Sequence, residues 1–285
     1  MEILDRIYRI ELGHSAGDSE ATEGGPSVSA FYVQGAESGL FIDAGFPDLA
    51  RTQPILDYWS GPLGSYPTSW ALVSHRHYEH AGGVKILKEA TGCKIGVGSG
   101  DAEAVEADVG GGTGVVDLAL TGGEVFDLGG RRVRAVATPG HTAGTMCYLV
   151  EDEGILFTGD HIMGQGTVVV RSDEGGSMAQ HVASLEALLD MDVRTVISGH
   201  GPVMTNPMEQ IPELVRHRTE RETQILGMVR DGMGSVDDLV GRIYGRESSE
   251  RRLWLARHQV VSHLEKLEDE GSVVAVEEGV TYRAV

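Results

Sequence analysis

Between Ser74 and Gly83 the chain reads SHRHYEHAGG, which places His75, His77, Glu79 and His80 within six residues. Imidazole and carboxylate are the usual ligands for zinc, iron or manganese. At this spacing His75 and His77 can converge on one ion while Glu79 and His80 turn towards a second. The preceding Trp70-Ala71-Leu72-Val73 is short, apolar and β-prone, so the histidines are read as a loop at the end of a buried strand. A solvated polar loop is the competing reading, and ligands from distant sequence decide between the two.

Such ligands recur at strand ends further along. A strand over residues 131–137 runs into Thr138-Pro139-Gly140-His141, a tight turn that presents His141. Strands at 146–150 and 154–157 form a hairpin that ends in Thr158-Gly159-Asp160-His161. A strand at 195–197 is followed by Ser198-Gly199-His200-Gly201. Histidine or aspartate repeated at strand ends is how a rigid sheet offers ligands to one edge. Earlier, residues 28–33 and 39–43 read as a hairpin, with Asp43-Ala44-Gly45 closing the second strand. Helices are expected at 48–58, 82–90, 101–107 and 177–189, and short strands at 94–97 and 124–127. The glycine-rich stretches 13–26 and 108–114 read as loops. DVGGGTG lacks the following Gly-Lys-Ser/Thr of a phosphate-binding loop.

The 285 residues, 41% of them hydrophobic, allow a full core and one large domain with a smaller companion. No apolar run is long enough to span a membrane, and the N-terminus is charged where a signal peptide would be apolar, so a cytoplasmic protein is expected. Cys93 and Cys147 read as small buried side chains rather than a disulfide. The formal charge is −20, of which residues 1–211 carry −17, so long polyanions are disfavoured partners. Only four of the 23 basic residues are lysines, a bias shared by high-GC and salt-adapted sources.

The segments SHRHYEH, PGHTAGT, TGD and SGHG, in that order, resemble the metallo-β-lactamase superfamily. The resemblance implies an α/β (α+β) fold, an αββα sandwich with metals at one edge of the sheets. It further implies that His75, His77 and His141 bind a first ion, that His80 and His200 bind a second, and that Asp160 bridges both. The family has aspartate where this chain has Glu79. The extra methylene extends the carboxylate by roughly 1.5 Å, a large change against metal–oxygen tolerances of about 0.2 Å. Either the loop adjusts and an intact dinuclear site is kept, which is the leading expectation, or the second site is weak, empty or differently metallated. LFTGDH with GQGT, then SGHGP, then HRTERETQIL at 217–226, look like the branch holding β-lactamase-like protein 2 and glyoxalase II-like hydrolases. That branch has a C-terminal winged helix, matched here by helices at 235–244 and 253–268 and a hairpin at 272–282. The division expected is 1–211 as catalytic domain and 212–285 as helical linker and winged helix.

On this reading two divalent ions, zinc foremost with iron or manganese as alternatives, generate hydroxide near neutral pH and polarise the bond attacked. Asp160 and Glu79 orient the hydroxide. Tyr78 and His161 flank the ligands, as hydrogen-bond donors to the oxyanion or leaving group or as packing. His14, His181 and His217 are assigned no chemistry. Three functions compete: hydrolysis of a small acyl thioester or related activated ester, endoribonuclease or phosphodiesterase activity, and a non-hydrolytic winged-helix binding or regulatory protein. The first leads because the branch is rich in such enzymes and the body is acidic. Association into a homo-oligomer is compatible with all three.

Overall fold

The computed structural model describes residues 1–13, 27–109, 111–112, 114–164 and 166–285. Most of the 13–26 insertion, His14, Gly110, Thr113 and Gln165 therefore lie outside the described residues. The chain divides into two compact units. The first comprises Met1–Thr138, Gly144–Gly166 and Asp192–Pro207, and the second comprises Pro139–Ala143, Thr167–Met191 and Met208–Val285.

In the first unit, seven strands form one sheet in chain order: β1 (Glu2–Leu4), β2 (Ile7–Gly13), β3 (Val28–Gln34), β4 (Gly39–Ile42), β5 (Thr68–Val73), β6 (Lys94–Gly98) and β7 (Leu118–Leu120). The first four pair antiparallel, whereas β4 to β7 run parallel. A second sheet has the order β12-β11-β10-β9-β8, from β8 (Val125–Asp127), β9 (Arg132–Ala137), β10 (Met146–Val150), β11 (Ile155–Gly159) and β12 (Thr195–Ser198). In it β11 and β12 pair parallel, and the other described neighbours pair antiparallel.

Strand β3, VSAFYVQ, is buried over all but its last residue because both its faces are covered. Phe31 and Val33 point into the sandwich with Leu72, Val133, Tyr148 and Phe157. Phe31 and Phe157 meet there at 5.3 Å between ring centroids, a contact worth about 0.5–1.5 kcal/mol beyond area burial. Ala30 and Tyr32 face the opposite way, into a layer built by α1 (Leu49–Ser60), α3 (Val84–Thr91) and α4 (Ser99–Asp108) through Ile55, Leu87 and Val105. Asp48 caps α1 by accepting from the Arg51 N–H. The one-turn helix α2 (Tyr78–Ala81) sits inside the histidine loop.

The second unit holds α5 (Met178–Ala187), α6 (Pro207–Arg230), α7 (Val236–Tyr244), α8 (Glu250–Asp269) and the hairpin of β13 (Val273–Glu277) with β14 (Thr281–Ala284). Ile225, Leu239, Val260, Leu264 and Tyr282 form its core. Ser235 caps α7 and Ser249 caps α8, so α8 begins three residues before the expected 253. Strand β7 has no counterpart among the expected strands. Cys93 and Cys147 are both free and buried, as expected.

Candidate functional site

Parallel strands put their C-terminal ends on one edge, and β4, β5 and β6 deliver Asp43, the His75–His80 loop and Asp101 to that edge. Asp43 is the hub. It is 1% exposed and sits at φ 62, a left-handed conformation that asparagine and aspartate tolerate better than most residues. Its Oδ1 accepts from the Ser74 N–H at 2.7 Å, and its Oδ2 accepts from the Ser74 hydroxyl at 3.0 Å and pairs with His80 Nδ1 at 2.7 Å. Burial alone would push the His80 pKa down. The carboxylates of Asp43 and Asp160 outweigh it and lift the ring to about 9. Asp101, also 1% exposed, accepts from the Arg76 N–H at 2.9 Å and the Gly144 N–H at 3.0 Å. It thereby ties the loop after β5 to the residue just beyond the His141 turn.

Asp160 is where the histidines of this unit meet. One ligand atom each of His75, His77 and Asp160 lies within 4.8 Å of the others, and the same holds for His80, Asp160 and His200. Asp160 Oδ2 is 4.0 Å from His75 Nε2, while Oδ1 is 3.5 Å from His80 Nε2 and 3.3 Å from His200 Nε2. His75 Nε2 and His77 Nδ1 approach to 2.9 Å. His200 is anchored to β3 by an antiparallel bridge with Val28 and by the Ser29 N–H donating to Gly199 O at 3.0 Å. Glycine is required beside these rings, since a Cβ on Gly199 would stand 2.6 Å from His80 Cε1.

The donors fit a divalent ion. His80 is completely buried, its Nδ1 is engaged by a carboxylate, and its Nε2 finds no hydrogen-bond partner among the described residues. A carboxylate behind a ring whose other nitrogen faces an aspartate is how metal-binding histidines are oriented.

His141 belongs to the second unit, on the turn after β9. Its Nδ1 is held at 3.0 Å from the carbonyl of Val169. The Ser177 N–H donates to Gly140 O at 2.8 Å and the Ser184 hydroxyl to Pro139 O at 2.8 Å, which fixes the turn. Glu79 is half-buried on α2 and stands in neither ligand group among the described residues. Tyr78 is 41% exposed, with its ring 5.9 Å from that of Phe46. His161 is buried, and its backbone N–H donates to Thr158 O at 2.9 Å. Sequence reasoning assigns no role to Asp43, Ser74 or Asp101. The rule that finds the ligands, an acidic residue closing a buried strand, applies to Asp43 as well.

Residues 24–200 match the metallo-beta-lactamase superfamily, and residues 235–281 match the beta-lactamase associated winged helix domain. A beta-lactamase-like protein 2 homolog from Drosophila melanogaster is 32% identical over 214 residues, covering 71% of this chain and 69% of that protein. An atrochrysone carboxyl ACP thioesterase from Claviceps purpurea is 32% identical over 195 residues, and the match spans 66% of this chain and 58% of the relative. Among solved structures, a metallo-beta-lactamase family protein from Thermus thermophilus matches over 100% of both chains with a TM-score of 0.77 at 20% identity. A beta-lactamase domain protein from Burkholderia ambifaria gives a TM-score of 0.81 at 17% identity, covering 100% of this chain and 93% of that one.

Proposed function

Because the chain belongs to the metallo-beta-lactamase superfamily and is a hydrolase of that fold, we propose that it hydrolyses a small acyl thioester or related activated ester. The observation that carries this reading is the Asp160 carboxylate, which meets His75 through one oxygen and His80 and His200 through the other. We assign His75, His77, His141 and Asp160 to one divalent ion and His80, His200 and Asp160 to a second, with zinc foremost. Glu79 adds a longer carboxylate beside His80 and retunes that half of the site. Residues 1–211 serve as the catalytic domain, with 212–285 as linker and winged helix.

The ions, when bound, supply an acidified water and an electrophilic contact for the carbonyl oxygen. Asp160 accepts a hydrogen bond from the attacking water and aims its lone pair at the acyl carbon. Asp43 and Asp101 are positioning residues that hold His80 and the loop around Arg76. Tyr78 is exposed enough to donate its hydroxyl to the developing oxyanion, whereas buried His161 supports the chain beside Asp160. The C–S bond breaks, and the proton lost by water leaves on the thiolate, giving a carboxylic acid and a thiol.

The small-acyl reading is supported by the thioesterase named among the relatives, and by the acidic surface. On the winged helix, several basic residues are already paired: Arg257 with Asp237, Arg246 with Asp238, and Lys266 with Glu222 and Glu270. No helix among the described residues is long and apolar enough to cross a membrane. The test is elemental analysis of the purified protein together with a panel of acyl thioesters, lactones and single-stranded RNA. Bound divalent metal with chelator-sensitive thioester cleavage is expected. Salt-sensitive cleavage of RNA with no thioester turnover would overturn the reading.

A further inference from the structure

Within the second unit lies a cleft of about 320 Å³ whose walls include Thr167, Val169, Tyr244, Ser248, Arg252 and Gln259. That volume is within the usual range for small-molecule sites, about 300–1,000 Å³. Among the described residues no carboxylate lines it, although the chain carries 43 acidic residues against 23 basic ones. Its polar groups are instead hydroxyls, an amide and a guanidinium.

Several donors around it lack acceptors. Gln259 is 7% exposed and its Oε1 accepts from the Val170 N–H at 3.3 Å, which leaves Nε2 buried with no acceptor among the described residues. Arg218, 3% exposed, donates from Nη2 to Val168 O at 2.6 Å, yet its Nε has no acceptor and it pairs with no carboxylate among the described residues. Arg252 is exposed and likewise forms no carboxylate pair among the described residues. A buried donor without a partner is destabilising. Guanidinium and amide donors together are answered by an oxyanion.

The strip 167–170 joins this cleft to a candidate ligand. Val169 lines the cleft, and its carbonyl is the group that holds His141 Nδ1. Arg218 grips the strip at Val168 and Gln259 grips it at Val170.

We propose that this cleft binds an oxyanion carried by the substrate, with Arg252 and the Gln259 amide as its donors. The acyl-thioester reading above supplies only the source of that anion, which is either a phosphate on the thiol arm or a carboxylate on the acyl chain.

Calorimetric titration of the full chain with three probes tests this. The probes are pantetheine, which is neutral; phosphopantetheine, which adds a phosphate; and S-carboxyethyl-pantetheine, an uncleavable thioether that adds only a carboxylate. At physiological salt, at least one charged probe is expected to bind about tenfold more tightly than pantetheine or better, with most of that gain lost in Arg252→Gln. A gain confined to phosphopantetheine identifies the thiol arm, and one confined to the thioether identifies the acyl chain. Gln259→Glu, checked for folding by thermal melting, should weaken the charged probes and spare pantetheine. Equal binding of all three probes, or a gain that survives Arg252→Gln, overturns the proposal. Because no turnover is measured, a protein that binds the charged probes but cleaves no thioester refutes the acyl-thioester reading and leaves the cleft standing.

Discussion

Replacing Asp43 by alanine removes the acceptor for two donors that have no other acceptor among the described residues, the Ser74 N–H and His80 Nδ1. The Ser74 hydroxyl also loses Asp43 but can rotate. A buried donor left unsatisfied costs about 1–3 kcal/mol, so the two together cost about 2–6 kcal/mol. Alanine at a φ of 62 adds roughly 1–2 kcal/mol of backbone strain. Set against a typical stability of about 5–15 kcal/mol, this is a large fraction. At about 2–4 °C per kcal/mol for a protein of this size, Tm should fall by on the order of 10 °C. Metal affinity should fall by about 10–100-fold, because His80 loses the carboxylate that orients it. Asp43→Asn keeps an acceptor and tolerates the left-handed backbone, so it should recover most of the Tm while remaining impaired in metal binding. The assays are thermal unfolding of chelated protein and a competitive metal titration. If Asp43→Ala melted within about 2 °C of wild type and bound metal equally, the argument that Asp43 organises the site would be wrong.

Other outcomes follow from the same geometry. His77→Ala should stay folded and lose both metal and activity, by more than the 10–100-fold typical of a residue behind the ligands; unchanged metal content and rate would refute its assignment. Gly199→Ala would place a Cβ 2.6 Å from His80 Cε1, so elemental analysis should show loss of one ion per chain ahead of the other. Glu79→Asp should change occupancy or metal selectivity at the His80 side, and an identical metal profile would show that Glu79 has no bearing on it. Burial raises both thiols, Cys93 above its ordinary value and Cys147 to about 12. At pH 8 neither should react with a disulfide reagent until denaturant is added, and rapid native labelling would contradict their placement.

The ligand segments are legible in the sequence because each pairs a short apolar run with a histidine or aspartate directly after it, and that pattern needs no knowledge of distant contacts. Asp43 and Asp101 are harder to see. Their roles depend on Ser74, His80, Arg76 and Gly144, between 25 and 43 positions away, and an isolated acidic residue at a strand end does not advertise its partners. Strand β7 has three residues and exists by pairing with β6, so no local alternation marks it. The early start of α8 is set by the Ser249 cap over a polar Glu-Arg-Arg turn, where apolar periodicity has nothing to report.

Asp160 trails His80 by 80 positions along the chain and His200 trails it by 120. A ribosome adding about 5–20 residues per second therefore exposes the histidine loop for roughly 4–16 s before the aspartate is even synthesised. During that interval three imidazoles are displayed without the carboxylate that joins the two groups, on a first sheet whose partner sheet is still incomplete. Any ion captured then is held by an unfinished set of donors and can exchange with its surroundings. The full set of donors is thus assembled late, only after β11 and β12 have paired and brought Asp160 beside His200.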